Sequence, residues 1–104
     1  MVNAAFLSRM KDGAVLINTS RGAVLNEGDV ADALRSGKLS GAGLDVLAKE
    51  PADPENPLLT APHCVITPHC AWTSKEARGR LMEILEKNLT SFAETGKGVN
   101  RVGV

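Results

Sequence analysis

The chain contains no tyrosine, one tryptophan and two phenylalanines in 104 residues. So sparse an aromatic complement, beside abundant Ala, Val, Leu and Gly, argues against a β-sandwich or barrel and for a parallel α/β arrangement. Net charge is also missing, with 12 Lys and Arg against 12 Asp and Glu. That balance gives no footing for nucleic acid or an anionic membrane as partner. Two cysteines, Cys64 and Cys70, are too few for a disulfide framework and suit a reducing cytoplasm. No apolar run approaches the roughly 20 residues that span a bilayer, and no basic-then-apolar leader opens the sequence. A soluble cytoplasmic domain is expected, with a modest core, since a chain this short removes only about 65% of its unfolded surface from water.

Hydrophobic patterning supplies the elements. Asn3 caps a short helix bearing Phe6, Leu7 and Met10, which Asp12-Gly13 ends. The unbroken run Ala14 to Asn18 predicts a parallel strand covered on both faces. A second helix starts after Asn26, with Glu27 and Asp29 at its positive end and Val30, Ala33 and Leu34 inward, and stops at Gly37. Gly41 to Val46 predicts a second buried strand. Residues 47–62 hold four of the five prolines and must be loop. Cys64 to Thr67 is a third strand, and Thr73-x-x-Glu76 predicts a capping box for a long helix with the stripe Ala77, Leu81, Ile84, Leu85, Leu89 and Phe92, ended by Gly96. The fold class is therefore α/β: a partial doubly wound, Rossmann-like parallel sheet of about three strands with flanking helices and a long C-terminal helix.

Ligands of such sheets lie beyond the carboxyl ends of the strands. Arg21 follows the first strand, Asp45 and Glu50 the second and His69 the third, so these four groups are expected at one edge. Arg21 offers a planar fork for a carboxylate, with Gly22 allowing a tight turn behind it. His69 suits general acid/base work, and a carboxylate such as Glu50 would fix its tautomer. Taken singly, Arg21 and Glu50 read as solvated surface charges, and His69 reads equally as a loop histidine or a catalytic one; only their joint placement points to chemistry. Trp72 suits either a hydrophobic wall or the substrate end of a cleft. His63, Cys64, His69 and Cys70 make up a tetrahedral zinc set in type. Neighbouring residues of a strand point to opposite faces, however, so no metal is expected and Cys64 is read as core packing.

The segment MKDGAVLINTSRGAVLN (Met10 to Asn26) closely resembles the third signature of the D-isomer-specific 2-hydroxyacid dehydrogenases. GAGLDVLAKEP (Gly41 to Pro51), NPLL (Asn56 to Leu59), CVITPHCAW (Cys64 to Trp72) and the tail EKNLTSFAETGKGVNRV (Glu86 to Val102) resemble the blocks that follow it. The PH-x-AW form and EARGRLM (Glu76 to Met82) are most similar to the glycerate dehydrogenase, or hydroxypyruvate reductase, branch. The resemblance implies hydride transfer between NAD or NADP and a small 2-oxo or 2-hydroxy acid of the hydroxypyruvate, glycerate or glyoxylate type. It implies Arg21 as the substrate-carboxylate arginine, Glu50 as the partner that orients the histidine, and His69 as the acid/base. Asn18, Thr19, Ser20, Asp45 and Ala71 would line the cofactor with Arg21 and His69, and Trp72 would line the substrate with the same two.

Family members also carry a Gly-x-Gly-x-x-Gly turn for the pyrophosphate upstream of these blocks. It does not occur in this sequence, where Gly41-Ala42-Gly43 runs on into Leu44. Residues 1–72 are thus expected to be the C-terminal half of a dinucleotide-binding domain, and residues 73–104 a return helix and tail belonging to the substrate-domain side. The expected partner is the missing N-terminal half, in a homo-oligomeric full-length enzyme. By itself the chain is expected to be inactive. A competing expectation is a non-catalytic split subunit that docks through the helix of residues 73–94.

Overall fold

The computed structural model describes residues 1–103. They form two compact units, one of Met1–Ala71 and one that begins at Trp72.

The first unit is built on three short parallel strands, β1 (Ala14–Asn18), β2 (Leu39–Leu44) and β3 (Cys64–Ile66), side by side in that order. In register, Ile17 lies opposite Gly43 and Asn18 opposite Leu44, while Leu44 lies opposite Ile66. All three carboxyl ends therefore reach one rim. Helix α1 (Ala4–Ser8) is capped by the Asn3 side chain, and α2 (Glu27–Arg35) by Asn26, which accepts from the Asp29 amide. Gly37, with φ of 77°, turns the chain out of α2 in a conformation that side-chain-bearing residues rarely adopt.

The core lies under α2. Val30, Ala31, Ala33 and Leu34 of the helix pack with Leu7, Leu25, Leu39, Ala42, Leu44, Leu47 and Leu58. Full burial of each larger side chain contributes about 1.5–3 kcal/mol. Only this face of the sheet is covered. Val15, Ile17 and Val65 on the other face are 60%, 66% and 65% exposed, which corrects the expectation that β1 is buried on both sides. The apolar run is real, but α2 packs on β2, α1 packs on α2, and no described element of the unit lies over the opposite face. Cys64 is half-buried against the core, and burial raises its thiol pKa.

Boundaries also shift: β2 starts at Leu39, before the expected Gly41, and β3 ends at Ile66, one residue short of Thr67. The second strand ends at Leu44, so Asp45 and Val46 belong to the connection after it. Residues 47–62 are loop except for a 3₁₀ turn at Pro57–Thr60, started by Asn56, which accepts from Leu58, and by Pro57 with its preset φ.

The second unit is dominated by α3 (Lys75–Thr95). Its cap is Ser74, whose hydroxyl accepts from the Ala77 amide, not Thr73. Ser74 has the extended backbone an N-cap needs, and the residue three places on is Ala77, so no reciprocal capping box forms. Gly96 closes the helix with φ of 72°. Leu81, Ile84, Leu85, Leu89 and Phe92 all stand exposed. No helix among the described residues is long and apolar enough to cross a membrane.

Candidate active site

At the end of β1, Asn18 is buried and its side chain shapes the next turn. Its Oδ1 accepts from the Ser20 amide at 3.1 Å and the Ser20 hydroxyl at 2.8 Å, and its Nδ2 donates to the Arg21 carbonyl at 3.0 Å. Arg21 projects from this braced turn, exposed, with Nη1 donating to the Ser20 carbonyl. Gly22 is pressed against the next connection: a Cβ there would fall 1.9 Å from the Leu47 carbonyl carbon. The glycine after Arg21 thus serves close backbone approach, the alternative to conformational freedom that glycine offers.

At the end of β2, Asp45 is buried and organises the segment after β3. Its carboxylate accepts from the Thr67 hydroxyl and from the Cys70 and Ala71 amides, and its carbonyl accepts from the His69 amide. These donors favour the ionised form and lower the Asp45 pKa to about 2, the Thr67 hydroxyl contributing most. His69 is held with φ of 52°, a region that non-glycine residues occupy uncommonly. His63 shares that conformation at the entry to β3, so left-handed backbone alone does not mark a site.

The loop after β2 returns Glu50 to His69. Glu50 Oε2 lies 2.7 Å from His69 Nδ1, and Oε1 accepts from the Leu47 amide. The histidine, then the Leu47 amide, hold the Glu50 pKa below the ordinary carboxylate value. An ionised carboxylate only accepts, so Nδ1 must carry the proton of this bond. A cleft of about 490 Å³ opens between Asp45, Leu47, Glu50, Ile66 and His69.

The structure therefore brings Asp45, Glu50 and His69 together. Arg21 sits on the same rim, at the end of the neighbouring strand, without lining that cleft. Thr19 and Ala71 instead flank a second groove of about 330 Å³, floored by Ile17, Gly43 and Val65 and bordered by Asp45. Trp72 opens the second unit, exposed. Among the described residues no group of three or more His, Cys, Asp or Glu is arranged to hold a metal ion. The bracing roles of Asn18 and Thr67 escaped sequence reading. An Asn two residues before a Ser at a strand end was the available signal for the first.

Residues 1–71 match the family model described as the NAD binding domain of D-isomer specific 2-hydroxyacid dehydrogenases. The chain belongs to this family. Its relatives include a hydroxypyruvate reductase from Blautia hydrogenotrophica, 49% identical over 102 residues, which are 98% of this chain and 31% of that protein. A crystal structure of a glyoxylate reductase from Paecilomyes thermophila superposes with a TM-score of 0.72 at 35% identity, covering 98% of this chain and 31% of that one. An NADPH-dependent glyoxylate/hydroxypyruvate reductase from Sinorhizobium meliloti, solved with NADP and malonate, has a TM-score of 0.68 at 37% identity, over 98% of this chain and 32% of that one. The chain thus spans about a third of the length of the relatives it matches.

Proposed function

We propose that the chain supplies the acid/base and substrate-anion groups of an NAD- or NADP-dependent oxidoreductase acting on a small 2-oxo acid, of the hydroxypyruvate or glyoxylate type that its relatives are named for. The observation that carries this reading is the 2.7 Å contact between Glu50 and His69 at the sheet rim where Arg21 also stands.

Arg21 binds the substrate carboxylate through its guanidinium fork. His69, oriented through Nδ1, presents Nε2 to the 2-oxo oxygen and delivers a proton there. Glu50 stabilises the imidazolium form, and Asp45 keeps the histidine's backbone in place. A reduced nicotinamide, when bound, supplies the hydride to the carbonyl carbon. Thr19, Ser20, Asp45 and the backbone around Ala71 would hold it. The residues present fit such a group: the second groove has an apolar floor for a ring, and Asp45 Oδ2, which accepts the Ala71 amide, retains a lone pair for a carboxamide donor.

In this reading, residues 1–72 are the C-terminal half of the dinucleotide-binding domain, and residues 73–104, with Trp72 beside them, serve the substrate-domain side. The complete enzyme is a cytoplasmic homo-oligomer whose N-terminal half completes the site. The exposed apolar row of α3 supports a further partner surface.

The test combines the chain with the N-terminal portion of a family member and follows nicotinamide absorbance with NADH or NADPH and hydroxypyruvate or glyoxylate. Reduction of a 2-oxo acid by the combination, and by neither piece alone, is expected. Failure with every acid and both dinucleotides, in a complex shown to assemble, overturns the proposal.

A further inference from the structure

Glu27 is the first residue of α2, yet the capping of that helix is done by Asn26. The Glu27 carboxylate reaches outward instead. Oε1 accepts from the Ala48 amide at 2.8 Å, and Oε2 accepts from Asn56 Nδ2 at 2.9 Å. One side chain therefore ties both ends of the span 48–56 to the start of a helix more than 20 residues earlier. Its charge sits where the helix dipole favours an anion, and both bonds are charge-assisted.

The span between those two anchors carries Glu50. It includes Pro51 and Pro54 and none of the regular structure that would hold it in place. Its far anchor is firm: Asn56 is buried, and its Oδ1 accepts from the Leu58 amide, which directs Nδ2 toward Glu27. Its near anchor adjoins Leu47, whose backbone is in contact with Gly22. Residues 21–27 thus carry Arg21 at one end and the staple at the other, so the arginine and the Glu50 loop share one base.

We propose that Glu27 is a positioning residue for the Glu50–His69 pair, acting through the 48–56 loop that it staples to α2. The catalytic meaning of this rests on the function proposed above; the mechanical link does not. Precision of this kind matters because a displacement of about 1 Å in a catalytic constellation costs on the order of 100-fold in rate.

The link is read without turnover, by ¹⁵N NMR on the full chain. Glu27→Ala is expected to move the His69 Nδ1 signal at least halfway toward its position in Glu50→Gln. Exchange of the Ala48 amide should accelerate at least about tenfold, with the amide shifts of β1 to β3 retained. Glu27→Gln keeps one bond and turns an amide nitrogen toward the other donor, so it should give an intermediate shift. That variant also decides the question if Glu27→Ala does not fold. A His69 Nδ1 signal that stays at its wild-type position in both variants, with the sheet intact, overturns the proposal. A signal that moves supports the staple whatever the activity, because His69→Ala in the assembled enzyme tests the catalytic reading separately. In that enzyme Glu27→Gln should lower kcat about tenfold and leave KM near the wild-type value.

Discussion

The Nδ1 atom of His69 lies 2.7 Å from Glu50 Oε2, across 19 residues of chain. Adjacent parallel strands deliver both residues to one rim, and the contact sets the histidine's tautomer. Glu50→Gln keeps the shape and removes the charge that stabilises imidazolium. In the assembled enzyme kcat should fall on the order of 100-fold, with KM changed little. Glu50 has a lowered pKa, so its ionised form is fully present above the ordinary carboxylate range. The pair's contribution should be lost only as pH falls below that range, through the lowered value. A kcat profile against pH checks this: the wild type should show no loss attributable to Glu50 between about pH 5 and 8.

Asp45 gives the chain an acid-labile joint. Its pKa falls from 3.8 to about 2 on folding, so its stabilising contribution is complete above pH 3.8. That contribution disappears as pH drops through about 2. Asp45→Asn turns an amide toward donors that a carboxylate accepted. It should lower the melting temperature at neutral pH and flatten the acid limb of the stability curve. Exchange at the Cys70 and Ala71 amides, measured by NMR, should accelerate in the variant.

Gly22 has no room for a methyl group, since backbone atoms of Leu47 and Ala48 occupy the space. Gly22→Ala should cost about 3 kcal/mol or more in urea unfolding, because backbone cannot yield as a side chain does. Gly13→Ala offers a contrast. It meets nothing within 4 Å, though its φ of 74° still strains the replacement.

Helix α3 should respond to its true cap. Ser74→Ala removes the acceptor for the Ala77 amide and should cost about 1 kcal/mol of helix stability by circular dichroism.

The strands, α2 and the placement of four polar groups at strand ends were legible because apolar periodicity and carboxyl-edge geometry are local or topological properties. What escaped was set by hydrogen bonds, sheet coverage and single backbone angles, none of which apolar periodicity encodes. The Asn18 side chain braces the Ser20–Arg21 turn, a local bond pattern that apolar periodicity does not carry. The exposure of Val15 and Ile17 depends on what covers a sheet, which an apolar run cannot declare. Glu27 read as an ordinary first-turn acid because its partners, Ala48 and Asn56, lie in a loop without periodicity. The Thr73-Ser74 choice of cap turned on backbone angles at a single residue.

The most direct measurement is kcat for 2-oxo acid reduction by His69→Ala in the assembled enzyme, with dinucleotide affinity measured beside it. A fall of about 10² to 10⁴-fold with unchanged dinucleotide binding is the predicted result. Activity retained within a few fold of wild type would contradict the assignment of proton transfer to His69.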